Sequence, residues 1–504
     1  ELFVARDRFG IKPLYFWEGK AREIAFASEI KQFTVLNGWK ATANISTILS
    51  FLADGSLDYC EQTMFLGVRQ VLPGHFIKIN LNSMHAKSED VQQIRWYVLP
   101  EDEVDIPLND AANNFKTLLS DSIRLRGEPE VPIGSCLSGG LDSSSIVCVL
   151  NDILRSEGKS DNQNTFSMLS DNSAIDESKW INSVLEQTGA KGHFVVPSSS
   201  SCLQSLEALV WSQDEPFSSL GIYGQNEVFK LASSNGVKVM LDGQGADEYL
   251  AGYDGFFTAN LSDLLGRGRF LSLLREAYAI GGTRQYTFIK IFKLLLNGVM
   301  SGSVRQFARK VGGYNTTEPH WLNVELVRKA GITKNSPVSR FGSIRELSSD
   351  QLTNRGIRAL LHWEDRNSMA YSIEARVPFL DFRVVEYTLR LAPRLKLSGG
   401  VTKVVLRYAM KDILPRLIST RNDKLGFTTN TEIWMTKERS HEFEALLQFA
   451  VESSNGLIRS SIIDDFREVC QGRAVFNLSF WRVICFGLWI RVFDVDVKMA
   501  TGEG

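Results

Sequence analysis

Between Val131 and Leu250 the chain repeats one pattern: a short apolar run, a polar or glycine-bearing loop, then an apolar-striped helix. "VPIGSCL" leads into a helix from Ser144, "TFSML" into one near Glu177 to Thr188, "HFVV" into one near Leu203 to Trp211, and "VKVML" into "DGQGADEYL". No other feature narrows the fold as much. Apolar runs without polar alternation suit strands buried on both faces, and helical connections between them make the strands parallel. The expectation is an α/β domain, a parallel sheet with helices on both faces and ligands at the carboxyl ends of the strands. From about Leu250 onward helical periodicity takes over and strands are hard to find.

The chain before Val131 is different. From Leu2 to about Asn80, short apolar runs ("LFVARD", "KPLYFWEGKAREIAFAS", "VLPGHFIKI") alternate with turn residues, and Glu18-Gly19 sits at a hairpin tip. This reads as the end of a mostly β domain, with strands that lack partners and an exposed edge. "NLNSMHAKSEDVQQ" is polar and unpatterned. The expected division is 1–80 for the β region, 81–107 for a linker and 108–500 for the α/β domain, which opens with the helix "LNDAANNFKTLLSDSIRLR".

Charge and cysteine usage exclude several classes of partner. Fifty-six Lys and Arg against 58 Asp and Glu leave a net charge of -2, so nucleic acid and membrane surfaces are not expected and small molecules are. The six cysteines form no CxxC or metal-type spacing, which suits free thiols and a cytoplasmic setting. "FWRVICFGLWIRVF", with Arg482 and Arg491, and "YTFIKIFKLLLNGVM", with Lys290 and Lys293, are too short and too charged to span a bilayer. Both read as core or amphipathic helices. The six histidines show no triad or ligand spacing.

The turn from Ser138 to Ser143, between a strand ending at Leu137 and a helix starting at Ser144, is built for phosphate. Gly139 and Gly140 open backbone conformations closed to other residues, N–H groups point into the turn, and the helix start adds partial positive charge. Ser138, Ser143 and Ser144 add hydroxyl donors. Asp142 beside a phosphate is unfavourable without a cation, which implies Mg²⁺ shared with phosphate oxygens. The Walker pattern is absent, and a glycine-rich turn with a serine cap is the plain structural alternative. In "DGQGADE", Asp247 and Glu248 follow another strand and are candidates for Mg²⁺ or proton handling, against a solvated acidic loop. In "KLSGGVTKVVLRYAMKDIL", Thr402 reads as a cap and Lys403 as a cation at a helix start, a second anion site, against an exposed helix lysine.

The SGGLDSS string resembles the pyrophosphate loop of the ATP pyrophosphatases. Together with "ARDRFGIKPLY", "FASEIK", "LDGQGADEYLAGY" and "EDRNSMAYSIEARVPFLD", it is similar, across essentially the whole chain and in order, to the glutamine-hydrolysing asparagine synthetases. That resemblance implies an ATP-pyrophosphatase-type sheet with a helical extension, preceded by the end of a β-rich N-terminal-nucleophile amidotransferase domain. It implies ATP and Mg²⁺ as cofactors, and aspartate with ammonia or glutamine as substrates. Aspartate would form a β-aspartyl-adenylate, ammonia would displace AMP, and a homodimer is compatible with this reading. Backbone groups of Leu137 and Met168 would meet the adenine, Asp242 and Gly243 would close over the nucleotide, Ser138 to Ser144 would hold the phosphates and Lys403 the pyrophosphate. Asp142 and Asp247 would ligate Mg²⁺. Gln244 stands where well-studied members carry a Glu, and an amide cannot accept a proton, which keeps open a related ligase acting on another acid. A nucleotide-binding regulatory protein without catalysis is the other alternative. The segment around Arg366, Arg376 and Asp381 reads as pocket wall, with Arg376 and Asp381 as a buried pair. The resemblance starts at the last part of the amidotransferase domain, so no residue here is assigned the glutaminase nucleophile, and nitrogen is expected from glutamine in a full-length enzyme and from ammonia in this chain.

Overall fold

The computed structural model describes residues 1–19, 23–81, 91–127, 131–158, 163–284, 286–287, 290–291, 294, 319–329, 342–422 and 428–498. Most of "YTFIKIFKLLLNGVM", the middle of the expected linker and the expected limit at 500 lie outside them.

The amino-terminal part contributes six short strands: β1 (Leu2–Ala5), β2 (Tyr15–Glu18), β3 (Ile24–Ala27), β4 (Val68–Gln70), β5 (His75–Ile79) and β6 (Gln93–Arg95). They pair as two antiparallel three-stranded sheets, ordered β1-β5-β6 and β3-β2-β4. The β2–β3 hairpin closes through the Gly19 N–H on the Glu23 carbonyl at 2.9 Å. The stretch expected as linker is not free chain. Gln93–Arg95 adds the third strand to the first sheet, and the Val104 N–H binds the Arg390 carbonyl at 2.7 Å.

The second part builds a five-stranded sheet, parallel throughout, from β7 (Ile133–Cys136), β8 (Asn164–Met168), β9 (Lys191–Val195), β10 (Val239–Leu241) and β11 (Glu374–Arg376), ordered β11-β10-β7-β8-β9. The chain winds outward from β7 to β9, then crosses back to lay β10 on the other side of β7. At that reversal the loops after β7 and β10 leave in opposite senses and open a crevice. β11 was not legible in advance: it is three residues inside the segment expected to be pocket wall. Among its neighbours, Arg376 pairs with Glu374 at 3.0 Å, while Asp381 pairs with Arg126 at 3.0 Å and Arg383 at 2.9 Å. The expected Arg376–Asp381 pair does not form, because Arg376 sits on the strand with its alternating partner Glu374 two residues back.

Helices cover both faces. Leu141–Ser156, following β7, packs Ile146, Val147 and Leu150 on one face with Leu108–Gly127 behind it, and Gly221–Ser234 packs Val228 and Phe229 against Phe166 and Met240 on the other. A third core joins the two parts of the molecule. Tyr15, Phe51 and Phe65 from the amino-terminal part pack with Trp481 and Trp489 of the helix Ser479–Phe493. That helix, apolar on every side, is the "FWRVICFGLWIRVF" segment, and it is a core helix. No helix among the described residues is long and apolar enough to cross a membrane. All six cysteines are unpaired thiols.

Candidate functional site

A cavity of about 930 Å³ opens at the β7–β10 reversal, at the carboxyl ends of the strands. Of the residues expected there, Leu137, Ser138, Gly140, Asp142, Ser143, Met168, Asp242, Gly243, Gln244, Asp247 and Lys403 line it. They come from four separate stretches of chain.

The loop after β7 differs in detail from expectation. The helix begins at Leu141, not Ser144, so Asp142 and Ser143 stand in its first turn. Only Gly139 needs its glycine for the backbone: its φ is +69°, and an added Cβ would meet that of Trp180 at 2.6 Å. Gly140 is the helix cap at φ -75°, an ordinary conformation. Gly139 lines the outer side of the turn, where its carbonyl accepts from Arg421 at 3.0 Å, and Ser144 turns into the core at 0% exposure. Three serine and glycine groups bind one another: the Ser138 N–H donates to Ser143 Oγ at 3.2 Å, the two hydroxyls lie 3.1 Å apart, and the Gly140 N–H reaches Ser138 Oγ at 3.4 Å. These weak, long bonds hold a concave set of donors that an anionic ligand can take over. At Leu137 the backbone is already engaged, its N–H on the Phe166 carbonyl and its C=O on the Ser167 hydroxyl, so an adenine there has the second carbonyl lone pair to use.

The loop after β10 presses against this turn. An added Cβ on Gly243 would lie 3.1 Å from both the Asp142 Cβ and the Ser143 N. We expect Gly243→Val to force the two loops apart and weaken ATP binding at least about tenfold, measured by calorimetry; unchanged affinity would show that the contact is not part of the nucleotide site.

Lys403 ties the cavity together. Its ammonium lies 2.5 Å from Asp142 Oδ2 and 2.7 Å from Asp247 Oδ1, and it is 4% exposed. Burial acts to lower its pKa, but the two carboxylates outweigh burial and hold it above the ordinary lysine value. Its backbone sits in the left-handed region at φ +57°, a conformation costly for a residue with a Cβ. A tight two-stranded turn, Leu397–Ser398 with Val401–Thr402, delivers it there. The helix that follows, Val404–Ala409, is a single short stretch, so the anion site expected at a helix start reduces to the lysine side chain itself. Glu248 does not line the cavity: it is 1% exposed and accepts from the Tyr253 hydroxyl at 2.6 Å.

Sequence reasoning missed three arginines that share the cavity. Arg421 pairs with Glu177 at 2.8 Å, stacks over Trp180 at 3.9 Å and holds the Gly139 carbonyl. Arg407 binds the Thr402 carbonyl at 2.9 Å, and Arg284 the Thr402 hydroxyl at 3.2 Å. Nothing in their local sequence sets them apart from surface arginines; only the long-range fold gathers them.

His362, assigned nothing from sequence, is also committed. It lies with Asp58 and Glu215 where the two parts of the molecule meet, the ligand atoms of the three within 4.8 Å of one another. A metal is not the fitting occupant. Nε2 faces the Gln213 carbonyl at 2.9 Å and Nδ1 faces Asp58 at 3.1 Å, so both ring nitrogens face acceptors and the ring is an imidazolium. Burial disfavours that charge, but Asp58 outweighs it and raises the His362 pKa, while Glu215 is pushed up to about 7 by burial and then by Asp58. Both groups therefore hold protons more tightly folded than unfolded. Their contribution to stability is fully present at low pH. It is lost for Glu215 as pH climbs from its ordinary 4.5 to about 7, and for His362 as pH passes 6.5 and its raised folded value. We expect the melting temperature to fall as pH rises from about 5 to about 8, and His362→Gln to flatten the part above about 6.5; parallel curves for both proteins would remove His362 from the account.

With this geometry in hand, the comparisons with known proteins are specific. The family model described as "Asparagine synthase" matches residues 114–491, and that described as "Glutamine amidotransferase domain" matches residues 1–90. "Asparagine synthetase [glutamine-hydrolyzing] 1" of Bacillus subtilis is 26% identical over 97% of this chain and 75% of its own length. "Amidase chyE" of Penicillium rubens is 26% identical over 81% of this chain and 65% of its own length. A solved NMN synthetase from Francisella tularensis overlaps 54% of this chain and 98% of its own at 14% identity and a TM-score of 0.21, and the fold assignment rests on the sheet itself.

Proposed function

Because the chain belongs to the asparagine synthase family of carbon–nitrogen ligases, we propose that it converts aspartate to asparagine by adenylating the side-chain carboxylate and then aminating it. The observation that carries this reading is Lys403 held between Asp142 and Asp247 beside the Ser138–Ser143 turn. A cation flanked by two carboxylates and a ring of N–H and hydroxyl donors suits a triphosphate and the pyrophosphate that leaves it.

In the proposed first step the aspartate carboxylate attacks the α-phosphorus of ATP, the α–β phosphoanhydride bond breaks, and pyrophosphate departs toward Lys403. In the second, ammonia attacks the acyl carbon, the bond to the adenylate oxygen breaks, and AMP leaves with the electron pair. Asp142 and Asp247 fit Mg²⁺: two carboxylates that already converge on one cationic nitrogen offer hard oxygen ligands to a divalent ion. When bound there, Mg²⁺ would neutralise phosphate charge. Asp242 lines the cavity, desolvation first among the causes that raise its pKa, and its carboxylate accepts from the Gly243 N–H at 2.5 Å. In this reading the nucleophile at the acyl carbon is ammonia, supplied as such or released from glutamine.

A second reading, a related ligase acting on another acid, is favoured by Gln244, which brings an amide into the cavity, and by the similarity to a protein named as an amidase. One experiment separates the two. Pyrophosphate release from Mg-ATP is measured with ammonium and a panel of carboxylic acids. Release that requires aspartate supports the first reading, release with another acid only supports the second, and ATP binding without release under any condition overturns both.

A further inference from the structure

Glu364 has no structural reason to be where it is. It lies in the helix Ile357–Met369 at 1% exposure, and neither carboxyl oxygen has a hydrogen-bond partner among the described residues. A carboxyl buried in this way destabilises a fold unless something pairs with it. Its neighbours on the helix are all satisfied: His362 by Asp58, Asp365 by Lys12 at 3.2 Å, Arg366 by Asp214 at 2.9 Å and the Ser28 carbonyl at 2.8 Å, Asn367 by Gln213 and Gln225.

The position is a partition. His362, Asp365 and Arg366 grip the amino-terminal part, whereas Leu360 and Trp363 line the cavity together with Cys136 and Asp242. Glu364 stands between the two, and the charges that act on it are those of Asp242, Lys12 and Asp365. Lys12 is already paired with Asp365, so the surroundings of Glu364 carry surplus negative charge and two unused acceptors. A small cation with several N–H donors is the matching ligand.

We propose that Glu364 receives the nitrogen donor of the amide-forming step, binding ammonium and taking one proton from it so that neutral ammonia reaches the acyl carbon. This rests on the ligase reading above. The exchange balances: ammonium and the Glu364 carboxylate give ammonia and the carboxylic acid. Ammonia then forms the C–N bond as the C–O bond to AMP breaks, and the surplus N–H proton, followed by the proton held on Glu364, leaves to water through the open cavity, which restores the carboxylate. Desolvation, then the charge of Asp242, raise the proton affinity of Glu364, which brings it closer to that of ammonia and makes the transfer more nearly even. Glu364 acts on the nucleophile before it meets the adenylate.

The test compares the chain with Glu364→Gln in three assays. ATP–pyrophosphate exchange with aspartate reports adenylation, product formation with ammonium reports the complete reaction, and hydroxamate formation with hydroxylamine, largely unprotonated at neutral pH, reports amination without the proton step. We expect exchange and hydroxamate formation to stay within about threefold and kcat/KM for ammonium to fall by about 100-fold. The variant should also melt at a higher temperature, since an unpaired buried carboxyl is gone. Ammonium kinetics that stay unchanged, or that fall in step with hydroxylamine, overturn the proposal. Should Glu364→Gln fail to fold, Glu364→Asp must show a selective fall in kcat/KM for ammonium, with exchange and hydroxamate formation retained. Absence of aspartate-dependent exchange in the unmodified chain is the separate result that removes the ligase reading, and this inference with it.

Discussion

Replacing Lys403 with methionine is expected to lower pyrophosphate release by roughly 100- to 1,000-fold, the range for losing one preorganised charge stabiliser. The loss is not confined to the departing pyrophosphate. Lys403 neutralises Asp142 and Asp247, each within 2.7 Å of its ammonium, and without it two partly buried carboxylates repel across the cavity. A second signature follows from that charge balance: the variant binds Mg²⁺ more tightly than the parent in the absence of ATP, because the cation it must displace is gone. Lys403→Arg restores little, since a planar fork cannot occupy the point between the two carboxylates. Steady-state pyrophosphate release and Mg²⁺ titration read these out; wild-type activity in Lys403→Met would remove the lysine from the mechanism.

Replacing Arg366 with methionine is expected to cost roughly 3–5 kcal/mol of stability, the range for breaking a buried pair by removing one partner. Arg366 is 1% exposed and binds Asp214, itself at 0%, along with Asp365 and the Ser28 carbonyl. Asp214 also accepts the N–H groups of Ile30 and Lys31 at 2.9 and 3.0 Å. One carboxylate thus fastens a loop of the amino-terminal part to two elements of the other, and removing Arg366 leaves it with Lys31, 2.9 Å away, as its remaining counter-charge. The double variant Arg366→Met with Asp214→Leu should recover part of the loss, by removing the buried carboxylate, although Lys31 and the two N–H groups lose their acceptor. Denaturant unfolding of the three proteins decides it. Equal stability of the single variant and the parent would mean that water reaches Asp214.

The parallel sheet was readable because its strands are uninterrupted apolar runs flanked by helices, a local signal that survives without knowledge of the fold. The glycine- and serine-rich turn after β7 was readable for the same reason, since SGGLDSS is contiguous. What was hidden depends on contacts distant in sequence. β11 is three residues long and acquires strand character only by pairing with β10. His362 reads as an isolated histidine until the fold brings Asp58 to it from 304 residues away. Glu364 stands in a segment crowded with charges, and nothing local says that it alone among them goes unpaired. The helix start at Leu141 was missed because Asp142 and Ser143 look like loop residues, and cap chemistry decides such boundaries more than polarity does.

The order of strands also bears on how the chain comes to be folded. β7, β8 and β9 are consecutive and can pair as soon as they are made, but β10 joins them after the whole of Gly221–Ser234, and β11 only once residue 376 is present. Lys403 comes later still. During synthesis Asp142 and Asp247 can therefore approach each other before their counter-charge exists, and the unpaired edge of β7 waits for a partner more than 100 residues downstream. Such long-range closure is slow, and an open strand edge is prone to association in the meantime. Nucleotide gives no help at that stage, because the cation that would hold its phosphates is among the last parts of the pocket to arrive.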